Sequence, residues 1–193
     1  APQAARKPRG QPLLPGGLSS LAGPDPAMQA LLARAARLAG GALPLLIRGE
    51  TGTGKERLAR AIHMCRPDAA PFHVVDCAAA RSQPLPLPIP GDGRGTLFLK
   101  GVEDLDPAAQ ALLLGSLAGC TLRVIATTRC DLGARVREGR FRADLFFRIA
   151  GAALDLPPLH LRQDLDWLLD RLLRAASADG LRLSARARAD LKA

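Results

Sequence analysis

The stretch GETGTGKE, residues Gly49 to Glu56, fits the spacing G-x-x-x-x-G-K of a phosphate-binding loop. It follows an apolar run, Leu45 to Arg48, and precedes a segment of helical composition, Lys55 to Met64. Strand, glycine-rich loop and helix are the context that the motif requires, because the glycines let backbone N–H groups point at phosphate oxygens. The stretch therefore predicts an α/β domain that binds a nucleotide.

Lys55 is the residue of this loop that carries a positive charge to the phosphates, and the amino terminus of the following helix adds partial positive charge to the same place. We expect ATP or ADP as the ligand. Glu56 stands where Ser or Thr usually ends the motif and reaches magnesium. The predicted binding residues are Gly49, Glu50, Thr51, Gly52, Thr53, Gly54, Lys55 and Glu56.

Apolar or β-branched runs alternate with helical segments around the loop, and this alternation predicts a parallel sheet covered by helices. A helix is expected from Pro26, with Asp25 as its N-cap. The other predicted elements are strands at Phe72 to Asp76, Thr96 to Leu99, Thr121 to Thr127 and Ala152 to Leu156, and a helix at Ala108 to Leu117.

The sequence predicts three parts. Residues 1–20 are rich in proline and glycine and contain basic residues, which indicates a flexible basic arm. Residues 21–156 form the α/β domain, within which Arg81 to Gly95 has prolines at alternate positions and favours an extended connection without a helix. Residues 157–193 begin a helical lid, with leucines at helical spacing from Leu165 and a second helix expected from Ser184.

Composition excludes several classes of protein. No apolar run approaches the roughly 20 residues of a membrane span and no signal-peptide core is visible, so we expect a cytoplasmic protein without membrane contact. The four cysteines and three histidines lack ligand spacing, so we assign no metal to them and expect reduced thiols. The net charge of +9 favours an anionic partner and leaves a nucleic-acid-binding module with a relic loop as an alternative.

Several strings occur in one order: GETGTGKE, ARAIH, PFHVVDCAA, GTLFL, LRVIATT, FRADLFFR and LPPL. Together they resemble the central AAA+ domain of bacterial enhancer-binding proteins, activators of sigma-54 RNA polymerase that include acetoin-catabolism regulators, over about Leu21 to Leu169. The resemblance implies a P-loop NTPase with a three-layer αβα fold, a five-stranded parallel sheet, a helical lid, assembly into a homo-oligomeric ring and ATP hydrolysis. It also implies that Arg142 and Arg148 are arginine fingers that reach a neighbouring subunit's γ phosphate.

The chain departs from the family pattern where the catalytic carboxylates belong. The family's L-F-L-D-E falls on Leu97 to Gly101, so that Lys100 and Gly101 replace the Asp and the Glu. Losing a general base typically lowers a rate by about 100- to 10,000-fold. The charge of Lys100 opposes magnesium, and the family's sensor asparagine falls on Arg129. We therefore expect nucleotide binding with little or no hydrolysis and weakened magnesium binding.

The loops with which the family grips sigma-54, one of them carrying G-A-F-T-G-A, have no counterpart between Cys77 and Thr96 or between Leu117 and Thr121. We expect contacts with RNA polymerase or DNA only through regions not present in this chain. The short lid further predicts nucleotide affinity weaker than micromolar.

Three further readings remain open. Glu103 or Asp104 would supply the missing carboxylate of an active ATPase, although both follow the end of the predicted strand. In a second reading, Lys100 contacts the phosphates directly and partly replaces the metal. Finally, the chain would be a fragmentary product of marginal stability, because a sheet face is left bare by the missing crossover helix.

Overall fold

The computed structural model of the protein describes residues 16–66, 70–79, 95–119 and 121–176, together with Ser184 and Ala187. The strands are β1 (Leu45–Arg48), β2 (Phe72–Asp76), β3 (Thr96–Lys100), β4 (Arg123–Thr128) and β5 (Ala152–Asp155). The helices are α1 (Gly16–Ser19), α2 (Pro26–Ala39), α3 (Lys55–His63), α4 (Pro107–Ala118), α5 (Leu132–Arg137), α6 (Ala143–Ile149) and α7 (Leu165–Ala176). Short 3-10 turns lie at Val102–Asp104 and Leu159–Leu161.

The strands form one five-stranded sheet in the order β2-β3-β4-β1-β5, and every neighbouring pair is parallel. In the centre of the sheet, Ile47 of β1 lies opposite Thr127 of β4 and Leu154 of β5. All strands therefore end at the same edge, where ligands of such sheets bind. The arrangement confirms the predicted α/β fold with a five-stranded parallel sheet.

Apolar layers cover both faces of the sheet. On one face, Leu97 and Leu99 of β3 pack in a buried cluster with residues of α4 and α6. On the other face, Phe98 belongs to a second cluster that includes residues of α2 and α3. Successive strand residues point to opposite faces, so a sheet covered on both sides needs continuous apolar strands. The three layers of the predicted αβα domain are thus present.

The amino-terminal end of the described chain is folded earlier than expected. Helix α1 packs against α3, and Leu18 is 0% exposed. The prediction that residues 1–20 form a flexible arm is therefore wrong for residues 16–20, since burial of one leucine outweighs a local composition rich in proline and glycine. Residues 1–15 lie outside the described residues.

A buried polar contact fixes each end of α2. At its start, Asp25 Oδ1 accepts a hydrogen bond from Met28 N at 2.7 Å, which confirms the predicted N-cap. At its end, the Arg123 guanidinium donates to the carbonyl oxygens of Ala39 and Leu38 at 2.5 and 2.7 Å. Arg123 opens β4, so this side chain caps a helix from a strand, and β4 begins two residues later than the predicted Thr121.

Helix α7 confirms the helix predicted from Leu165, and its role in a lid stays a prediction. The predicted second helix from Ser184 and the predicted extended connection from Arg81 lie almost wholly outside the described residues. Within the described ranges, no helix is long and apolar enough to cross a membrane.

Candidate nucleotide-binding site

The glycine-rich loop joins the end of β1 to the start of α3. Gly52 and Gly54 have φ angles of 84° and 95°, and a Cβ atom at either position would meet nothing within 4 Å. Backbone conformation rather than space therefore requires glycine at both positions. Thr53 Oγ1 donates to the carbonyl oxygen of Glu50 at 2.8 Å and closes the loop on itself.

Lys55 Nζ lies over this loop and donates to the carbonyl oxygens of Gly49 and Glu50 at 2.7 and 2.6 Å. Burial lowers the pKa of Lys55; the carboxylate of Glu103 opposes this shift and the charge of Arg129 reinforces it. The ammonium group therefore lies in a partly desolvated place, near charged residues from two other segments. Interactions with phosphate are stronger there than in open water.

The loop opens onto a cavity of about 430 Å³ at the carboxyl edge of the sheet, which we call the phosphate cavity. The loop and the start of α3 form one wall, and the other walls come from the ends of β2, β3 and β4 and the residues that follow them. The residues that line the phosphate cavity include Thr51, Gly52, Gly54, Lys55, Glu56, Asp76, Lys100, Gly101, Glu103, Asp104, Thr127 and Arg129.

Lys100 ends β3 and forms an ion pair with Asp76 at the end of β2, with Nζ 2.9 Å from Oδ2. The side chains are 52% and 44% exposed. The hydrogen bond from Lys100 lowers the pKa of Asp76 and the same bond raises the pKa of Lys100. The strand end that carries a carboxylate in the family pattern thus presents a paired ammonium group to the cavity.

Gly101 turns the chain back toward the cavity directly after β3. Its backbone is left-handed, with φ 68° and ψ 53°, and its N–H donates to Thr127 Oγ1 at 3.1 Å. The 3-10 turn that follows places Glu103 and Asp104 in the cavity wall. From the sequence, both carboxylates were expected beyond the strand end. The signal that would have located them is the glycine, which permits the reversal.

Glu103 is buried and only half satisfied. Its side chain is 2% exposed, and Oε1 accepts a hydrogen bond from the backbone N–H of Arg129 at 3.1 Å. Oε2 is buried and has no hydrogen-bond partner in the described part of the chain. An orphaned carboxylate oxygen in a ligand cavity is costly and indicates a functional group.

Arg129 follows β4 and pairs with the carboxylates of both Glu103 and Asp104. Its guanidinium lies 3.0 Å from Asp104 Oδ1 and 3.4 Å from Glu103 Oε1. An arginine only donates hydrogen bonds, whereas the asparagine of the family pattern also accepts them. The sensor position therefore adds a cation to the cavity.

The two candidate arginine fingers do not line the phosphate cavity. Arg142 precedes α6 and pairs with Asp144, with Nη2 2.7 Å from Oδ2. Arg148 lies within α6 and donates from Nη2 to the carbonyl oxygen of Leu117, at the end of α4, at 2.8 Å. Their expected contact is with a neighbouring subunit, so the arginine-finger role stays a prediction.

A second cavity, of about 160 Å³, lies on the other side of the loop, and we call it the lid cavity. Gly52 and Gly54 line both cavities. Trp167 of α7, the chain's single tryptophan, lines the lid cavity together with apolar residues such as Leu21 and Leu156. Sequence reasoning missed this wall, although a lone tryptophan at the start of an amphipathic helix was its signal.

A buried ion pair lies in the segment that precedes α7, residues 157–164, which we call the lid segment. Arg162 and Asp164 are 4% and 0% exposed and form two hydrogen bonds of 2.8 Å. Next to them, Asp25 Oδ2 accepts a hydrogen bond from the backbone N–H of Gln163 at 2.9 Å, which joins the lid segment to the start of α2. Gly23 is required here, because a Cβ atom at this position would overlap Asp164 Oδ2.

Magnesium, which a phosphate loop implies, does not fit the side chains of the phosphate cavity. Glu56 pairs with Arg60 at 2.9 Å, the carboxylates of Asp76 and Asp104 are paired with Lys100 and Arg129, and Glu103 offers one oxygen, Oε2, that no described residue binds. Hard cations need free oxygen ligands. Among the described residues, no group of three or more His, Cys, Asp or Glu side chains is placed to hold a metal ion.

Residues 22–159 match the family model described as the Sigma-54 interaction domain. The acetoin catabolism regulatory protein of Cupriavidus necator is 39% identical over 205 residues, which cover 88% of this chain and 30% of that protein. The Nif-specific regulatory protein of Rhodobacter capsulatus is 35% identical over 185 residues, which cover 79% and 32%. The chain spans about a third of the length of these relatives.

Among solved structures, NtrX from Brucella abortus in complex with ATP superposes with a TM-score of 0.75 at 28% identity. The match covers 89% of this chain and 47% of NtrX. The complex of NtrX with ADP gives a TM-score of 0.76 at the same identity. The P-loop NTPase domain of a sigma-54 activator from E. coli, with a TM-score of 0.50 at 22% identity, agrees in fold.

Proposed function

The chain belongs to the Sigma-54 interaction domain family, and from this premise we propose that it is a nucleotide-binding AAA+ module of a bacterial transcriptional regulator that hydrolyses ATP slowly or not at all. The observation that carries the proposal is the composition of the phosphate cavity. It combines a complete phosphate loop with a set of carboxylates that are paired with cations. The first feature supports binding, and the second opposes hydrolysis.

Nucleotide binding follows from the loop. The left-handed glycines leave the loop backbone open to a ligand, and Lys55 holds an ammonium group in the same cavity. NtrX, which shares the fold at 28% identity, was crystallised with ATP and with ADP. On the far side of the loop, the lid cavity with Trp167 offers an aromatic and apolar surface that suits a base.

Slow hydrolysis follows from the strand ends. Lys100 and Gly101 stand at the positions of the two family carboxylates, and Asp76 is already paired with Lys100. Arg129 likewise pairs with Asp104. Without the carboxylates of the family pattern at the end of β3, the typical contribution of a general base, about 100- to 10,000-fold in rate, is lost.

The proposed role is regulatory. Nucleotide binding would change the contact of this module with a second copy, in which Arg142 and Arg148 would take part from a neighbouring subunit. RNA polymerase is the implied partner of the family, and contact with it would run through other regions of a longer cytoplasmic regulator.

Fluorescence of Trp167 tests the binding proposal, because this single tryptophan lines the cavity beside the loop. We expect a saturable change on titration with ATP and with ADP, and its loss in Lys55→Ala. Arg140→Ala is the matched control, since it also removes one positive charge, lies outside both cavities and pairs with Glu138 at 3.4 Å. Absence of any nucleotide effect would refute the proposal and favour the nucleic-acid-binding alternative.

A second candidate is an active ATPase, and the orphaned Oε2 of Glu103 favours it. Glu103 would accept a proton from a water molecule that attacks the γ phosphorus, while the bond from that phosphorus to the ADP oxygen breaks. Phosphate release by the wild type, reduced about 100-fold or more in Glu103→Gln and unchanged in Arg140→Ala, would establish this candidate. Release equal to that of Lys55→Ala would exclude it.

A further inference from the structure

We propose that the phosphate cavity binds nucleotide without a requirement for a divalent cation, with Lys100 as the protein cation that faces the β and γ phosphates. This inference rests on the proposed function and specifies its ligand as the metal-free nucleotide. It starts from the mismatch between magnesium and the cavity's side chains.

Lys100 lines the same cavity as Lys55 and the start of α3, and it stands at the strand end from which the family pattern directs a carboxylate at the metal. Glu56 lies close enough for its charge to act on Lys100. The ammonium group of Lys100 lies at the end of β2, in the cavity onto which the loop opens. A phosphate bound by the loop would face it there.

The carboxylates of the cavity are already engaged by protein cations. Three cations, Lys55, Lys100 and Arg129, line the cavity together with four carboxylates, those of Glu56, Asp76, Glu103 and Asp104. Asp76 pairs with Lys100, Asp104 and Glu103 Oε1 pair with Arg129, and Glu56 pairs with Arg60. A divalent cation that used these carboxylates as ligands would be repelled by the cations that pair with them.

The pair of Lys100 with Asp76 is about half exposed, and exposed ion pairs contribute little to stability. Lysine also holds three rotatable donors on a flexible stem. Nζ can therefore keep Asp76 and reach a phosphate oxygen with a remaining donor.

The test is a titration of Trp167 fluorescence with ATP in EDTA and again with excess magnesium. For the wild type we expect similar affinity in both conditions. In Lys100→Ala, affinity in EDTA should fall about tenfold to a hundredfold, the loss expected when one hydrogen bond to a charged group is removed. Arg140→Ala, which removes a positive charge outside the cavity, should bind as the wild type does in both conditions.

Lys100→Asp provides a readout that a purely structural role would not move. Returning a carboxylate to the strand end should make binding weak in EDTA and restore it with magnesium, so that the ratio of the two affinities changes. A wild type that binds only with magnesium overturns the inference and leaves the proposed function intact. Unchanged binding by Lys100→Ala in EDTA overturns it as well, and no binding in either condition overturns both proposals.

Discussion

Replacing Gly101 by alanine tests whether the turn after β3 depends on a left-handed backbone. An L-residue pays roughly 1–2 kcal/mol in this conformation, and at φ 68° and ψ 53° Gly101 lies well inside it. The added Cβ atom would also lie 3.2 Å from Asp104 Oδ2, a tight contact with a side chain that has to shift. We expect Gly101→Ala to lower the free energy of unfolding by about 1–2 kcal/mol.

Gly115→Ala is the matched control. Gly115 lies on the exposed side of α4, and a Cβ atom there meets nothing within 4 Å. Alanine is more favourable than glycine inside a helix by roughly 0.8–1 kcal/mol. The two substitutions add the same methyl group and should change stability in opposite directions.

Urea denaturation followed by far-UV circular dichroism measures both changes against the wild type. We expect the free energies of unfolding of the two variants to differ by about 2–3 kcal/mol. This is the sum of the cost of a left-handed alanine at position 101 and the gain in helix propensity at position 115. Equal stability of the two variants would refute the left-handed turn and, with it, the position of Glu103 in the phosphate cavity.

Three other outcomes are expected. Arg162→Ala should lower the free energy of unfolding by about 3–5 kcal/mol in the same urea assay, because it leaves the buried carboxylate of Asp164 unpaired. Burial raises the pKa of Cys77 to about 12, so this thiol should not react with Ellman's reagent at pH 8 unless the protein is unfolded; the variant with serine at the other three cysteines checks this. The lowered pKa of Asp76 means that its pair with Lys100 stabilises the fold above about pH 4 and is lost as the pH falls through the lowered value. The difference in stability between the wild type and Lys100→Ala should shrink accordingly in acid, and a constant difference would contradict the pairing.

The sheet could be predicted because its signals are local. The apolar run before GETGTGKE, the Asp25-Pro26 helix start and the β-branched run that contains Arg123–Thr128 each specify an element within a few residues. At the amino-terminal boundary, a tertiary contact decided the outcome. Leu18 extends the folded part toward the amino terminus because α3 offers it a buried place.

The loop half of the site could be predicted, and the opposite wall could not. Glu103 and Trp167 enter their cavities through a chain reversal and a helix that packs from a distant segment. Neither arrangement leaves a fixed spacing in the sequence. The ion pair of Lys100 with Asp76 joins residues on neighbouring strands, and it follows only from the strand order.

The glycines at positions 52 and 54 form a partition with a different space on each side. Glycine has no side chain that could move aside when a ligand contacts the loop. A ligand that displaces the loop backbone from one side therefore displaces it toward the other cavity as well. If a ligand on the side of Lys55 changes the affinity for a ligand on the side of Trp167, the second ligand must change the affinity for the first by the same free energy. With such a coupling, a substitution at the end of β3 that alters ligand binding in one cavity would also alter the other cavity, where Trp167 of α7 would report it.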